Sequence, residues 1–209
     1  MIDIIKVGDW SAAFKITSGM SARFKHAMDK AVHKEAQNFR NKVLQAFRSS
    51  GKSNGKPWRK NEPWTIKRKK SSKPLIDKGD LYGSIVVIPV QESTYFIGVP
   101  NNARSHKGAK LTRVGSVHEF GQVITMTVTA KQFYYIMHLI RKYGSSGKKP
   151  SSGSKVKIGG TLIIRIPERS FLRDTLKEHF KPADVEARVM GHVTQQMGWA
   201  PGQRGPTIP

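Results

Sequence analysis

A regular row of apolar residues near the start of the chain constrains the fold more than any other feature. Between Gly19 and Arg48 these residues recur at steps of four, with one step of three, so they share one face of an α-helix. The row consists of Met20, Phe24, Met28, Val32, Ala36, Phe39, Val43 and Phe47. At ~1.5 Å per residue such a helix is about 45 Å long. We therefore expect it to lie across a sheet.

The rest of the chain alternates between strand-like and helix-like segments. Strand-like segments cover 84–90, 95–100, 123–129 and 161–166, and the "QEST" link between the first two predicts a hairpin. Three helices follow from apolar spacing. Their expected inward residues are Phe133, Ile136, Met137 and Ile140; then Phe171, Leu172, Thr175 and Leu176, in a helix opening at Pro167; and last Val185, Val189, Val193 and Met197.

Neighbouring strands with helices at either end predict an α+β fold. We expect an antiparallel β-sheet packed against the long N-terminal helix, with C-terminal helices and long basic loops. The length of 209 residues fits one domain over 1–181, with loops at 49–73, 101–113 and 143–158. Residues 182–209 would form a C-terminal helix and a Pro/Gly-rich arm.

The charge of the chain predicts a polyanionic partner. Lys and Arg number 37 against 14 Asp and Glu, and the formal net charge is +23. Such a chain repels its own copies and attracts nucleic acid or acidic protein surfaces. The three loops hold few acids, and their bases are the expected contacts: Lys52, Lys56, Arg59, Lys60, Lys67, Arg68, Lys69, Lys70, Arg104, Lys107, Lys110, Arg113, Lys148, Lys149, Lys155 and Lys157. Without a sequence-reading motif, any nucleic-acid contact would be non-specific.

Several catalytic and metal-binding classes find no support in the sequence. There is no cysteine, which excludes disulfides, thiolate zinc sites and cysteine nucleophiles. The "GKS" at Gly51–Ser53 has Ala46 where a phosphate-binding loop needs its first glycine. His118 has no second histidine four residues later, as a zinc-binding helix would. We therefore expect no enzyme activity, no metal and no cofactor.

The acidic pair in "PLIDKGDLYGSI", Pro74–Ile85, fits a turn better than a nuclease site. Asp77 and Asp80 have only Glu119 as a further candidate carboxylate, and it is distant in sequence. Gly79 can adopt positive φ at the bend. Asp80 is expected to cap a short helical turn through a nearby amide, and Leu81 to anchor the turn on the long helix. The apolar stretches are too short to cross a bilayer and the N-terminus does not read as a signal peptide, so we expect no membrane association.

Four segments in order resemble the tailed-phage virion morphogenesis family, whose members complete the tail or join it to the head. The first is "GKPWRK", which resembles that family's Gly-x-x-Trp stretch. "LIDKGDLYGSI" is similar to its Asp-x-Gly-x-Leu-x-x-Ser-Ile segment, with Lys78 in place of a small Thr. "VGSVHEFGQ" resembles its His-Glu-Phe-Gly segment, and "IPERSFLRDTL" its Ile-Pro-x-Arg-x-Phe-Leu segment. The third basic loop looks longer than is usual there.

The resemblance assigns structural rather than catalytic roles to the matched residues. These are Trp58, Asp77, Gly79, Asp80, Leu81, Ser84, Ile85, His118, Glu119, Phe120, Gly121, Pro167, Arg169, Phe171 and Leu172. It implies a ring of identical copies, six in the family pattern, at the neck of a bacteriophage. The implied partners are connector proteins and a tail tube or tail terminator, with genomic DNA in the channel as a further candidate. The implied location is the virion, and the host cytoplasm during assembly. The alternative is a non-specific nucleic-acid-binding accessory protein.

Overall fold

The structure is a computed structural model, and it describes residues 10–143 and 157–198. The helices are α1 (Trp10–Ser49), α2 (Pro63–Lys69), α3 (Asp80–Gly83), α4 (Leu111–Phe120), α5 (Ala130–Tyr143), α6 (Arg173–His179) and α7 (Pro182–Gln196). The strands are β1 (Val86–Gln91), β2 (Thr94–Gly98), β3 (Gln122–Thr127) and β4 (Thr161–Ile166). A short 3₁₀ turn covers Lys52–Asn54. The mixed α+β class, with a long N-terminal helix, antiparallel pairing and C-terminal helices, is confirmed.

The described strands form two separate ribbons of two strands each, β1–β2 and β3–β4. β3 and β4 run antiparallel, in a register that sets Gln122 opposite Ile166 and Thr127 opposite Thr161. A ribbon of two strands is marginally stable alone. Its stability must come from the helices and loops packed around it.

The described chain divides into two compact units. One comprises residues 10–38, 88–96 and 181–198, and the other comprises 39–87, 97–143 and 157–180. The first unit has a small apolar cluster of Ala27, Ala31 and Val193. In it, the Asp29 carboxylate accepts hydrogen bonds from the Ser93 amide and the Tyr95 hydroxyl, each at 3.0 Å. The predicted division at residue 181 remains a prediction.

The second unit holds the larger core and all the segments that carry the resemblance. Its buried residues are Phe39, Val43, Leu44, Ala46, Phe47, Trp58, Leu81, Ile85, Leu111 and Phe171. The Phe47 ring contacts those of Trp58 and Phe171, at centroid distances of 5.7 and 4.9 Å. The end of α1 therefore supplies the apolar face on which the loops of this unit fold.

Several predicted boundaries are wrong. The loop at 49–73 contains α2, and the loop at 101–113 already includes the start of α4 at Leu111. The loop at 143–158 lies almost wholly outside the described residues. The helix predicted to open at Pro167 is α6, and it begins at Arg173. The amides of Phe171 and Leu172 bond to the Glu119 carboxylate instead of to helix carbonyls.

Three residues predicted on the apolar faces of helices are exposed, and one of them is Phe24 of α1, at 38%. Leu176 is 53% exposed, since the later start of α6 turns Asp174 and Thr175 inward instead. Met137 in α5 is 43% exposed, while Phe133 and Ile136 are half-buried. The spacing thus located helices in these regions, but it did not fully predict which side α5 and α6 present to the core.

Candidate functional site

The carboxylate of Glu119 joins two of the four segments that carry the resemblance. Glu119 lies in the last turn of α4 and is buried. It accepts four hydrogen bonds, from the Ser170 hydroxyl at 2.7 Å and from the amides of Phe171, Leu172 and Arg173 at 2.9, 3.2 and 2.8 Å. Hydrogen bonds to an ionised acceptor are stronger than neutral ones. Glu119 therefore fixes the 168–173 turn against α4.

The end of α4 brings the same two segments into backbone contact. The amide of Arg169 donates to the carbonyl of His118 at 2.7 Å. Gly121 ends the helix at φ 70°, and a Cβ there would stand 3.0 Å from the Glu168 nitrogen and 3.1 Å from the Ile166 oxygen. A glycine is required at this position by both its conformation and the close approach.

Trp58 and Arg169 join the "GKPWRK" segment to the same turn. The buried Trp58 indole donates to the carbonyl of Ser170 at 3.1 Å. The Arg169 side chain, only 8% exposed, donates to the carbonyl of Arg59 at 3.2 Å and to the side-chain oxygen of Asn61 at 3.3 Å. Both side chains hold the path of the chain before α2.

The Pro74–Ile85 segment confirms part of the turn prediction and corrects the rest. Gly79 has φ 87°, and Leu81 is buried in the core with Phe47. Gly79 rather than Asp80 stands at the N-cap of α3, and the Asp80 carboxylate bonds to His106, so the predicted capping role of Asp80 is wrong. Its carboxylate instead accepts from the His106 amide at 3.2 Å and lies 2.5 Å from His106 Nδ1. This bond to His106 lowers the pKa of Asp80 below its usual value.

The remaining matched residues complete one junction. Ser84 donates to the Leu81 carbonyl at 2.8 Å, and the Ile85 carbonyl accepts from Arg40 at 2.7 Å. A Cβ on Gly115 would stand 3.6 Å from both Leu81 and Phe171, so α4 packs closely on both. All four segments therefore meet around α4, and we call this region the motif junction: Trp58, Leu81, Gly115, Glu119 and the 168–173 turn. Phe120 differs, since it is 63% exposed under the Arg173 guanidinium.

The predicted basic contacts lie mostly on exposed positions. Those exposed are Lys52, Lys56, Arg59, Lys60, Lys67, Arg68, Lys70, Arg104, Lys107, Lys110, Arg113 and Lys157. Among them, Lys56 pairs with Asp174 at 3.3 Å and Arg59 pairs with Glu62 at 3.3 Å. Lys69 differs from the others in being half-buried. Lys148, Lys149 and Lys155 lie outside the described residues.

A cleft of about 300 Å³ opens beside the motif junction, and charged side chains from four parts of the second unit line it. α2, the 75–81 segment, the 105–118 region and Arg169 line it. Its walls include the apolar side chains of Leu75, Leu81, Leu111 and Val114. Its titratable groups are Arg68, Lys69, Asp77, Lys78, Asp80, His106, His118 and Arg169. Four cations thus face two carboxylates, one of which is bonded to His106.

The cleft lowers the pKa values of three basic side chains that line it, Lys69, Arg169 and His118. Burial lowers the pKa of Lys69, although nearby Asp77 opposes the effect. Burial, with a contribution from Arg59, also lowers the pKa of Arg169. Burial, reinforced by Arg169 and Lys69, lowers the pKa of His118 to about 4. His118 is therefore neutral near pH 7, and its buried Nδ1 has no hydrogen-bond partner among the described residues.

A second groove of about 570 Å³ shares Ala109, Val114 and His118 with the cleft. Ala109, Lys110, Arg113, Val114, Val117, Gln122, Ile124 and Ile166 line it together with His118. Its surface is mostly apolar, and residues of both α4 and the β3–β4 ribbon line it.

The acids considered for metal binding are not arranged for it. Glu119 is saturated by its four donors, and Asp80 is bonded to His106. Within residues 10–143 and 157–198, no group of three His, Asp or Glu side chains is placed to hold a metal ion. In the same part of the chain, no helix has both the length and the apolar character needed to cross a bilayer.

Comparison with known proteins gives no relative: the chain matches no family model, no curated protein and no solved structure.

Sequence reasoning missed His106, Asn61 and Ser170 as parts of the site. His106 bonds Asp80 from 26 residues away. Asn61 and Ser170 are small polar residues in loops, and nothing in their local pattern predicts partners 108 and 51 residues distant.

Proposed function

We propose that the chain is a structural virion protein of a tailed bacteriophage. It forms a ring, six copies in the family pattern, at the neck, where it completes the tail or joins it to the head connector. It acts without catalysis, and its location is the virion. Its partners are copies of itself, connector proteins and a tail tube or terminator.

The observation that carries this proposal is the meeting of four separate segments at the motif junction. The segments were recognised by their residues alone, and they span more than a hundred positions of the chain. Chance matches have no reason to meet in space. Here the Glu119 carboxylate, the Trp58 indole and the Arg169 amide bond three of the segments directly to one another, and Leu81 of the fourth packs in the same core.

The charge distribution supports an assembled rather than a free protein. A net charge of +23 makes copies repel each other until something neutralises it. In a neck, the acidic surface of a partner or the DNA in the channel supplies the opposite charge. The exposed bases around α2 and the 101–113 segment face solvent in the isolated chain and are available for this.

The proposal is tested on purified particles. Infectious virions made with an affinity-tagged chain should contain the protein in fixed proportion, and averaged images of labelled particles should place a ring at the neck. Absence of the protein from purified infectious particles would refute it.

The alternative is a free protein that binds nucleic acid without sequence preference, and the exposure of the loop bases favours it enough to test. Each phosphate contact contributes ~0.9 to the slope of log affinity against log salt on duplex DNA. Arg104, Lys107, Lys110 and Arg113 changed together to Gln should flatten that slope if they contact phosphate. Changing exposed bases of α1, such as Lys25 and Lys30, provides the control. Tight, salt-sensitive DNA binding by a chain absent from virions would establish the alternative.

A further inference from the structure

The 300 Å³ cleft holds cations that the described part of the chain leaves without a bonded acid. Lys69 is half-buried, Arg169 is buried and Lys78 is exposed, and all three line the cleft. Within residues 10–143 and 157–198, none has a carboxylate at ion-pair distance. We propose that the cleft binds one acidic side chain, an Asp or Glu with apolar neighbours, that a protein partner presents.

The cost of burying these cations supports an external acid. Basic side chains are almost never buried without a partner, because the charge loses its hydration. Arg169 satisfies part of its guanidinium with the Arg59 carbonyl and Asn61, which are neutral acceptors. Asp77 attracts Lys69 from beyond ion-pair distance, and Asp80 is already engaged by His106. A carboxylate that enters the cleft would neutralise part of this unpaired positive charge.

The shape and lining of the cleft favour a side chain over a DNA phosphate. The phosphates of a duplex lie on the outside of a stiff rod, so they meet cations that protrude from a surface. Lys69 and Arg169 are recessed instead. The walls also include Leu75, Leu81 and Leu111, which would pack against the apolar neighbours of an acidic residue.

His118 provides an internal reporter of the bound acid. Its pKa is about 4 partly because Arg169 and Lys69 repel a proton on its ring. A carboxylate placed among these cations would offset their charge and raise the pKa of His118. The inference does not rest on the proposed function, because the binding can be measured on the isolated chain.

The experiment is an NMR titration of the full chain with a short capped peptide that has one Glu between two Leu residues. A peptide with Gln in place of Glu, and a short DNA duplex, are the comparison probes. The variants are Lys69→Gln, which keeps a donor but loses the charge, and Lys67→Gln, the same change two residues away on an exposed position of α2 outside the cleft. Lys78→Gln is a second variant in the cleft, independent of the half-buried site.

We expect the Glu peptide to bind about tenfold or more tightly than the Gln peptide, and to raise the pKa of His118. Lys69→Gln should weaken binding about tenfold, as expected for the loss of a charge-assisted contact, while Lys67→Gln leaves it nearly unchanged. Lys78→Gln should weaken it several-fold. Equal affinity for both peptides, or equal losses in Lys67→Gln and Lys69→Gln, would overturn the proposal. So would no binding of the Glu peptide at about ten millimolar, or a duplex that binds more tightly than the peptide with the same dependence on Lys69.

Discussion

The substitution Glu119→Gln tests whether one buried carboxylate holds the motif junction together. Gln has nearly the volume of Glu, so the change leaves packing intact and alters only charge and hydrogen bonding. Glu119 Oε1 accepts from the Ser170 hydroxyl and the Arg173 amide, and Oε2 accepts from the amides of Phe171 and Leu172. An amide side chain must place an NH₂ group at one of these two positions.

The loss in stability follows from the better of the two orientations. With NH₂ at the Oε1 position, the Ser170 hydroxyl can turn to accept a hydrogen bond, and the Arg173 amide is the only backbone donor that loses its acceptor. An unsatisfied buried donor costs about 1–3 kcal/mol, and the two bonds that remain weaken by about 1 kcal/mol each when their acceptor becomes neutral. We therefore expect the free energy of unfolding to fall by about 3–5 kcal/mol. Placing NH₂ at Oε2 would leave two backbone amides without acceptors and cost more.

The assay is urea denaturation monitored by far-ultraviolet circular dichroism. The free energies of unfolding are compared between variants for which the slope of this free energy against urea concentration is the same. Glu178→Gln makes the same chemical change on an exposed position of α6 and should stay within about 0.5 kcal/mol of the unchanged chain. If Glu119→Gln costs less than about 1 kcal/mol, the four donors do not depend on the carboxylate. The junction would then be held by apolar packing alone.

Two further predictions concern the same unit. Phe171→Ala should lower the free energy of unfolding by about 3–5 kcal/mol, because Phe171 is 1% exposed and contacts Phe47. Phe120→Ala, at an exposed position, should lower it by less than about 1 kcal/mol. Similar losses in the two variants would contradict the placement of Phe171 in the core. His118 has a folded pKa of about 4 against an ordinary 6.5, so the unfolded chain takes up its proton first as pH falls. The contribution of neutral His118 to the free energy of unfolding should therefore be fully present above about pH 6.5. It should be lost as the pH falls towards 4, by about 3 kcal/mol in total. His118→Asn should remove that part of the pH dependence, and an unchanged urea midpoint profile would refute the buried neutral state.

The sequence predicted those parts of the fold that depend on residues near one another in the chain. The apolar spacing predicted α7 and the part of α1 from Gly19 onward, although α1 begins earlier, at Trp10. The strand β4 was located at its observed bounds, Thr161–Ile166. Gly79 was predicted at positive φ from the turn around it, as the structure confirms. In each case the determining interactions lie within a few positions, where spacing and propensity rules apply.

The sequence-based prediction of the candidate site was wrong where a hydrogen-bond partner distant in sequence took the place of a local one. Asp80 was expected to cap its own turn, because the nearest amides are two and three residues away. The loop carrying His106 brings two donors to the same carboxylate, and these take the place of the cap. Likewise the amides of Phe171 and Leu172 bond to Glu119, which delays the start of α6. No single-sequence rule predicts an acceptor 52 residues away.

Four acidic residues of this chain are bonded within the fold at buried or half-buried positions. Glu119 binds the 168–173 turn, Asp29 binds Ser93 and Tyr95, Asp80 binds His106, and Asp174 pairs with Lys56. Carboxylates used in this way organise the fold but cannot screen the exposed loops. The two kinds of base can then act differently on a partner. Protruding loop lysines supply salt-sensitive attraction without orientation, whereas the recessed Lys69 can accept only a group that enters the cleft. A partner engaged at both would be attracted by the first and positioned by the second.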